Sequence, residues 1–272
     1  MKHLKLKLIF IFIFIILYSI VLYFNYENKR FLIERELNSK IEDIEMNFNI
    51  TILNNKNDAS SINFNLQNNN KLINMLSQAN DANSTTQAVL RKKVYQFLYR
   101  QYQSMRLRGI LEFQFILPNN VSFLRMHKPS KFGDDLSNAR YSFNHTNKTH
   151  KPSFGFEESR TSHAFRNVYP IFDKNNKYIG CYETSFSSES IQNNLLYINK
   201  IHSHFLINKA VHEFERTNKE DYYLGKYIPS IENKDYMFFV LDSTNFTKLE
   251  YSKKYLIKDY TDIHHPSKLK LI

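Results

Sequence analysis

Leu8 to Phe24 reads LIFIFIFIILYSIVLYF, a run without a charged residue, Gly or Pro. At about 1.5 Å per helical residue it reaches roughly 25 Å, the lower end of what crosses a bilayer. Tyr18 and Tyr23 extend that reach at one interface, and Lys5 and Lys7 can snorkel at the other. A cleaved export signal needs a small-x-small site after its apolar run. Tyr18, Ser19, Ile20, Val21 and Tyr23 offer none, so residues 8–24 read as an uncleaved signal anchor, a buried core helix being the alternative. Lys2, Lys5 and Lys7 precede the run without an acid, whereas Glu27, Lys29, Arg30, Glu34, Arg35 and Glu36 follow it in mixed sign. That asymmetry keeps residues 1–7 in the cytoplasm and exports the rest.

Export changes the meaning of the charge. Against 26 acidic residues stand 37 Lys and Arg, a formal net charge of +11. In a cytoplasmic protein this balance would suggest nucleic acid. Outside the cytoplasm it predicts no nucleic-acid partner, and the cations either draw an anionic small ligand or solvate the surface. Cys181 is the single cysteine, which excludes an internal disulfide and a Cys-based zinc site. With only 5 Gly and no Trp, the chain has little from which to build a Gly-rich phosphate loop. No Gly-x-Ser-x-Gly elbow occurs, and the paired carboxylates lack a glycosidase setting. His145, His150 and His163 with Asp134 and Asp135 follow no metal-ligand spacing. The expectation is a non-enzyme without catalytic residues, metal or cofactor.

Beyond the anchor, Ile33, Leu37, Ile41, Ile44, Phe48 and Ile52 recur every three or four residues, which predicts a helix continuing out of the membrane. Residues 54–84 are polar and Asn-rich, with a weaker helical patch at Leu72, Ile73, Met75 and Leu76. Ser84 and Gln87 read as a capping box, opening a stripe of Leu90, Val94, Leu98, Tyr102 and Met105 that Gly109 ends. From Ile110 the period becomes two. Ile110, Glu112 and Gln114 alternate with Leu111, Phe113 and Phe115, and Pro118-Asn119-Asn120 turns the chain into Val121, Phe123 and Arg125. An irregular crossover from Lys128 to Pro152 precedes strand texture at 154–157, 164–172 and 178–186, then a helix opened by Ser187 or Ser188. This order predicts an α+β fold, with an antiparallel sheet of about five strands covered by helices on one face.

Particular residues then carry a resemblance. Phe115 to Pro129 (FILPNNVSFLRMHKP) and Lys131 to Leu136 (KFGDDL) lead on to Asn147-Lys148-Thr149, Gly155-Phe156-Glu157, Tyr169 to Asp173 (YPIFD) and Tyr178-Ile179-Gly180. Together they resemble the double-Cache family, the PAS-like periplasmic sensors of bacterial histidine kinases, diguanylate cyclases and chemoreceptors. The resemblance is strong over about 110–186. It implies a membrane-distal Cache unit, assigned to 25–200, with a ligand cavity between sheet and crossover. A membrane-proximal unit should follow, then a second span and a cytoplasmic output domain. His204 to Ile207 and Phe238 to Leu241 look like the opening strands of a partial second Cache-like unit over 201–272. The sequence stops at Ile272 with no second span and no kinase, cyclase or methyl-accepting motif, which reads as a severed receptor or an exported part that works with a partner.

The candidate ligand residues are Arg125, His127 and Lys128 leaving the second strand, Phe132, Asp134 and Asp135 in the crossover, and Glu157, Arg160, Arg166 and Tyr169 on the later strands. Arg can hold a carboxylate bidentately, and an Asp pair beside an aromatic ring can hold an amine. The ligand so implied is an amino acid, an amine or a carboxylate-like solute. A structural role competes for the same residues: Arg125 pairing with Asp134 or Asp135 pins the crossover to the sheet, Glu157, Arg160 and Arg166 form cross-strand ion pairs, and Tyr169 packs in the core. The expected whole is a single-pass sensor of the bacterial inner membrane, its bulk periplasmic. Binding would move the sheet against the Ile33 to Ile52 helix, whose stripe can also pair two copies as a homodimer. The rival expectation is an anchored interaction or assembly protein without a small-molecule ligand.

Overall fold

The computed structural model describes residues 2–158, 163–200, 203–210, 225–231 and 233–241. The chain divides into two compact units, Met1–Asn49 and Ile50–Ile272. The described part of the first unit is helical throughout and belongs to α1 (Lys2–Gln67). Nothing in its sequence interrupts it, since the first Gly is Gly109 and the first Pro is Pro118. The apolar side chains from Leu8 to Phe24 are all exposed, and the helix is long and apolar enough to cross a membrane. Further along, Ile33, Leu37 and Ile41 are exposed as well.

The second unit opens with residues 50–67 of α1, then α2 (Asn70–Asn80) and α3 (Ser84–Leu107). The expected capping box lies one residue out of place. Asn83, in extended conformation, accepts from the Thr86 amide at 2.9 Å and caps α3, so Ser84 becomes the first helical residue. Gln87 instead donates its side-chain amide to the Ala79 carbonyl at 3.0 Å and ties α3 to α2. Gly109 ends the helix as expected, at φ +85.

Five strands follow: β1 (Ile110–Ile116), β2 (Ser122–Arg125), β3 (Ser153–Glu158), β4 (His163–Phe172) and β5 (Tyr178–Phe186). They form one antiparallel sheet in the order β2-β1-β5-β4-β3. The central pair lies very close at one point. A Cβ on Gly180 (φ +125) would collide with the Ile116 carbonyl oxygen, so only glycine fits there.

One face of the sheet carries the apolar core. Phe113, Phe115, Tyr169, Tyr182 and Phe186 pack with Ala59, Ile62 and Leu66 of α1, Leu72 and Leu76 of α2, and Leu90, Val94, Leu98 and Met105 of α3. The other face, expected to lie beneath an irregular crossover, bears a helix. The crossover read as irregular contains α4 (Tyr141–Thr149), whose Phe143 packs with Ile116, Leu136, Ala139, Val168 and Cys181. The sequence YSFNHTNKT has little helical stripe. Side-chain amides hold it instead: Asn120 donates to Asn144 at 2.7 Å, and Asn147 donates to Asn120 at 2.6 Å and to the Leu117 carbonyl at 3.1 Å. The β1–β2 turn, with Asn120 left-handed at φ 62, is thereby bound to α4.

After β5 come α5 (Ser188–Asn199) and a small antiparallel sheet of β6 (Leu206–Asn208), β7 (Gly225–Pro229) and β8 (Tyr236–Leu241), ordered β6-β8-β7. The two strands expected in this region correspond to β6 and β8, which pair directly, Leu206 opposite Phe238. His163 joins the large sheet to this part. Its ring stacks on Phe205 at 5.2 Å, one nitrogen meets the Ser188 hydroxyl at 2.8 Å, and the other meets the Tyr227 hydroxyl.

Candidate functional site

The sheet face beneath α4 is polar, and strand register explains why. Arg125 lies opposite Gln114, Gln114 opposite Glu183, Glu112 opposite Ser185, and Ser185 opposite Arg166. Residues opposite one another in an antiparallel pair share a face. Four strands therefore place charged and amide side chains side by side in the interior.

Each charge there has partners. Arg166 donates through Nη1 to Glu112 Oε2 at 2.8 Å and to Glu183, while its Nε lies 3.4 Å from Glu157 Oε2. Arg140, arriving from the crossover just before α4, donates through Nε to Glu157 Oε2 at 2.8 Å and through Nη2 to Glu183 Oε2 at 2.7 Å. The Arg140 guanidinium also sits 4.2 Å from the centre of the Phe143 ring. Gln114 Nε2 donates to Glu183 Oε2 at 2.7 Å. Ser142 donates its backbone N–H and its hydroxyl to Glu157, at 2.9 and 2.7 Å. Glu183 is fully buried, and Arg140 and Arg166 nearly so.

Electrostatics favour the charged forms of Glu157 and Arg166. Burial alone would raise the Glu157 carboxyl, but Arg140 and Arg166, with the Ser142 hydrogen bonds, lower its pKa to about 2. Burial likewise opposes the charge on Arg166, and Glu112, Glu183 and Glu157 together push its pKa well above the ordinary value. Burial lowers the His127 imidazole, against the upward pull of Glu112 and Glu183.

The residues expected to bind ligand fall into separate places. Glu157 and Arg166 meet in the buried cluster. Arg125 is buried beside it but engages Asp134 bidentately, both bonds at 2.7 Å, and the Lys131 carbonyl at 3.0 Å. This is the pinning arrangement weighed above, and it draws the Asp134 carboxyl below its usual range although burial opposes the shift. Asp135 is exposed and bonded to Ser137 at 2.6 Å, and Lys128 is exposed. Phe132 is half-exposed, with the Arg91 guanidinium 3.7 Å from its ring centre. Tyr169 belongs to the opposite, helix-covered face, where it stacks on Tyr182 and shares a hydrogen bond with Ser60 at 3.0 Å. Arg160 lies outside the described residues.

Sequence reasoning missed Glu112, Gln114, Glu183 and Arg140 as members of the site. The first three had a visible signal: a carboxylate or amide repeated at alternate positions of strands otherwise built for burial. Arg140 had none, because only the path of the crossover brings it inward.

A family model for the double sensory domain of two-component sensor kinases, of the double-Cache kind, matches residues 55–220. The chain belongs to this family. Solved structures similar to this double-Cache chain are also sensor domains. The ligand-binding domain of the Campylobacter jejuni chemoreceptor Tlp3, in complex with L-norvaline, shares 16% identity, with 65% of this chain and 68% of that one covered and a TM-score of 0.46. The sensor domain of the V. cholerae histidine kinase DctB shares 10%, over 75% and 84% of the two chains, at a TM-score of 0.47. A sensory box/GGDEF family protein domain from Vibrio parahaemolyticus shares 14%, over 62% and 66%, at 0.42. Among curated proteins no match to the double-Cache chain is found.

Proposed function

We propose that this double-Cache chain is the anchored sensing part of a bacterial signal-transduction receptor, binding a small amino acid, amine or carboxylate-like solute on the sheet face beneath α4. The observation that carries this reading is the buried cluster itself. Two guanidiniums and three carboxylates gathered beneath a short crossover helix cost desolvation energy that apolar packing would avoid. A recognition role accounts for that cost, in a family whose members are sensory domains.

In this reading residues 8–24 anchor the chain in the inner membrane with residues 1–7 cytoplasmic. Residues 25–200 form the membrane-distal sensor unit, and 201–272 part of a proximal one. The exposed Ile33, Leu37 and Ile41 pair two copies through the long helix. The chain senses and does not catalyse.

The test is a thermal-shift screen of the full chain in lipid nanodiscs against amino acids, amines and carboxylates. A cognate solute raises the unfolding midpoint in proportion to the logarithm of its concentration, and Glu183→Gln abolishes the rise. Silence across all three classes would leave the rival, an interaction or assembly protein without a small ligand.

A further inference from the structure

The origin of the groups in the cluster divides them. Glu112, Gln114, Glu157, Glu183 and Arg166 stand on strands whose register fixes them. Arg140 is the charged member that comes from the crossover. Its contacts, one carboxylate on Nε, a second on Nη2 and an aromatic face 4.2 Å away, are those by which proteins hold a free guanidinium or amine. We propose that Arg140 is a tethered stand-in for the ligand, and that the solute sensed here is a guanidinium or primary-amine cation that displaces it from Glu157, Glu183 and Phe143. This rests on the sensor reading above and narrows it to one charge class.

A second observation points the same way. Gln114 is 1% exposed and its Nε2 is spent on Glu183, yet its Oε1 is buried without a hydrogen-bond partner. The Ser185 hydroxyl, one register step away on the same face, is in the same state. Buried acceptors without donors are costly and uncommon. A guanidinium carries five N–H donors and an ammonium three, so a cation entering beside Gln114 supplies what Arg140 does not. An acidic solute has no such welcome, because the sheet offers it Glu157 and Glu183, and Arg166 is already held by Glu112 and Glu183.

Displacement also supplies what signalling requires. A ligand shifts an equilibrium only by its different affinity for two states. Here the states are Arg140 in and Arg140 out, and the cation binds only the second. Its apparent affinity is therefore reduced by the fraction of molecules with Arg140 in place.

The experiment uses the full chain in nanodiscs, with agmatine, L-isoleucine and succinate as probes, read by thermal shift and by calorimetric titration. Wild type, Arg140→Gln, Arg140→Lys and Glu183→Gln are compared, the lysine variant keeping a charge in case the glutamine one does not fold. Agmatine should raise the wild-type midpoint. Its dissociation constant should fall by about tenfold or more in Arg140→Gln, and by less in Arg140→Lys, as the internal competitor weakens. Glu183→Gln should abolish the response. A response to agmatine confined to Arg140→Gln overturns the proposal, since filling a vacated arginine site is what a purely structural Arg140 predicts. Equal or weaker agmatine binding in both Arg140 variants overturns it too. A wild-type response to isoleucine or succinate alone, lost in Glu183→Gln, overturns the stand-in while sparing the sensor reading. Wild-type silence toward all three removes both.

Discussion

Tyr182 and Glu183, adjacent in β5, reach opposite sides of the sheet. The Tyr182 hydroxyl donates to Asn63 Oδ1 of α1 at 3.2 Å, and the Glu183 carboxylate holds Arg140 at 2.7 Å. A displacement of β5 caused on the polar face therefore reaches α1 through the next peptide bond. Tyr182→Phe removes the hydroxyl and keeps the ring, at a cost of about 1 kcal/mol in stability. Solute binding should slow amide exchange over residues 58–67 in the wild type, and should do so less in Tyr182→Phe. Equal protection in both would place the coupling elsewhere.

Arg166 sits at the centre of the buried charge cluster. Arg166→Met leaves Glu112 and Glu183 without its guanidinium in a buried setting, and removing one partner of such a pair costs about 3–5 kcal/mol. Urea unfolding followed by circular dichroism should show a loss of that size. Lys128→Met, on an exposed side chain, should change stability by no more than about 0.5 kcal/mol.

Acid should loosen the protein in a defined window. Glu157 has a folded pKa of about 2 against an ordinary 4.5. A depressed carboxyl stabilises the fold above its unfolded pKa, and that stability is lost as pH falls toward the folded value. The contribution, at most about 3 kcal/mol, should be complete above pH 4.5 and decline between 4.5 and 2. Unfolding midpoints of wild type and Glu157→Gln, measured from pH 7 to 2, should differ at neutral pH and converge at the acid end.

Pairing of two copies through the long helix makes a geometric prediction. A cysteine replacing exposed Leu37, in a Cys181→Ser background, should form a disulfide-linked dimer under mild oxidation in nanodiscs. A cysteine replacing exposed Ser39, on the opposite side of the helix from Leu37, should cross-link less. Equal yields at both positions would speak against a defined seam.

The sheet and the helices of its apolar face were legible in the sequence because they obey simple periods. Phe113, Phe115, Tyr182 and Phe186 alternate along strands, and Leu90, Val94, Leu98 and Met105 repeat along α3. The helix α4 was not, since Asn120, Asn144 and Asn147 stabilise it through contacts distant in sequence rather than by an apolar stripe. The candidate site was half visible. Glu157 and Arg166 were named as ligand residues, yet their partner Glu183 on β5 was not. Tyr169 was named both as a ligand candidate and as a core residue, and residue parity in β4 puts it on the core face, opposite to Arg166. Arg125 and Asp134 did meet, and their bidentate bond fastens the crossover.

The start of α4 carries one more consequence. Arg140 occupies its N-cap position but makes no side-chain capping bond, and the Ser142 amide is satisfied instead by Glu157, fifteen residues further along the chain. A helix of nine residues cannot persist alone in water. The first turn of α4 thus leans on a carboxylate on β3, so a change in what Glu157 holds is converted from a matter of charge into a matter of order. The crossover would then report occupancy by melting or freezing a single turn, a signal that needs no rigid-body travel at its source.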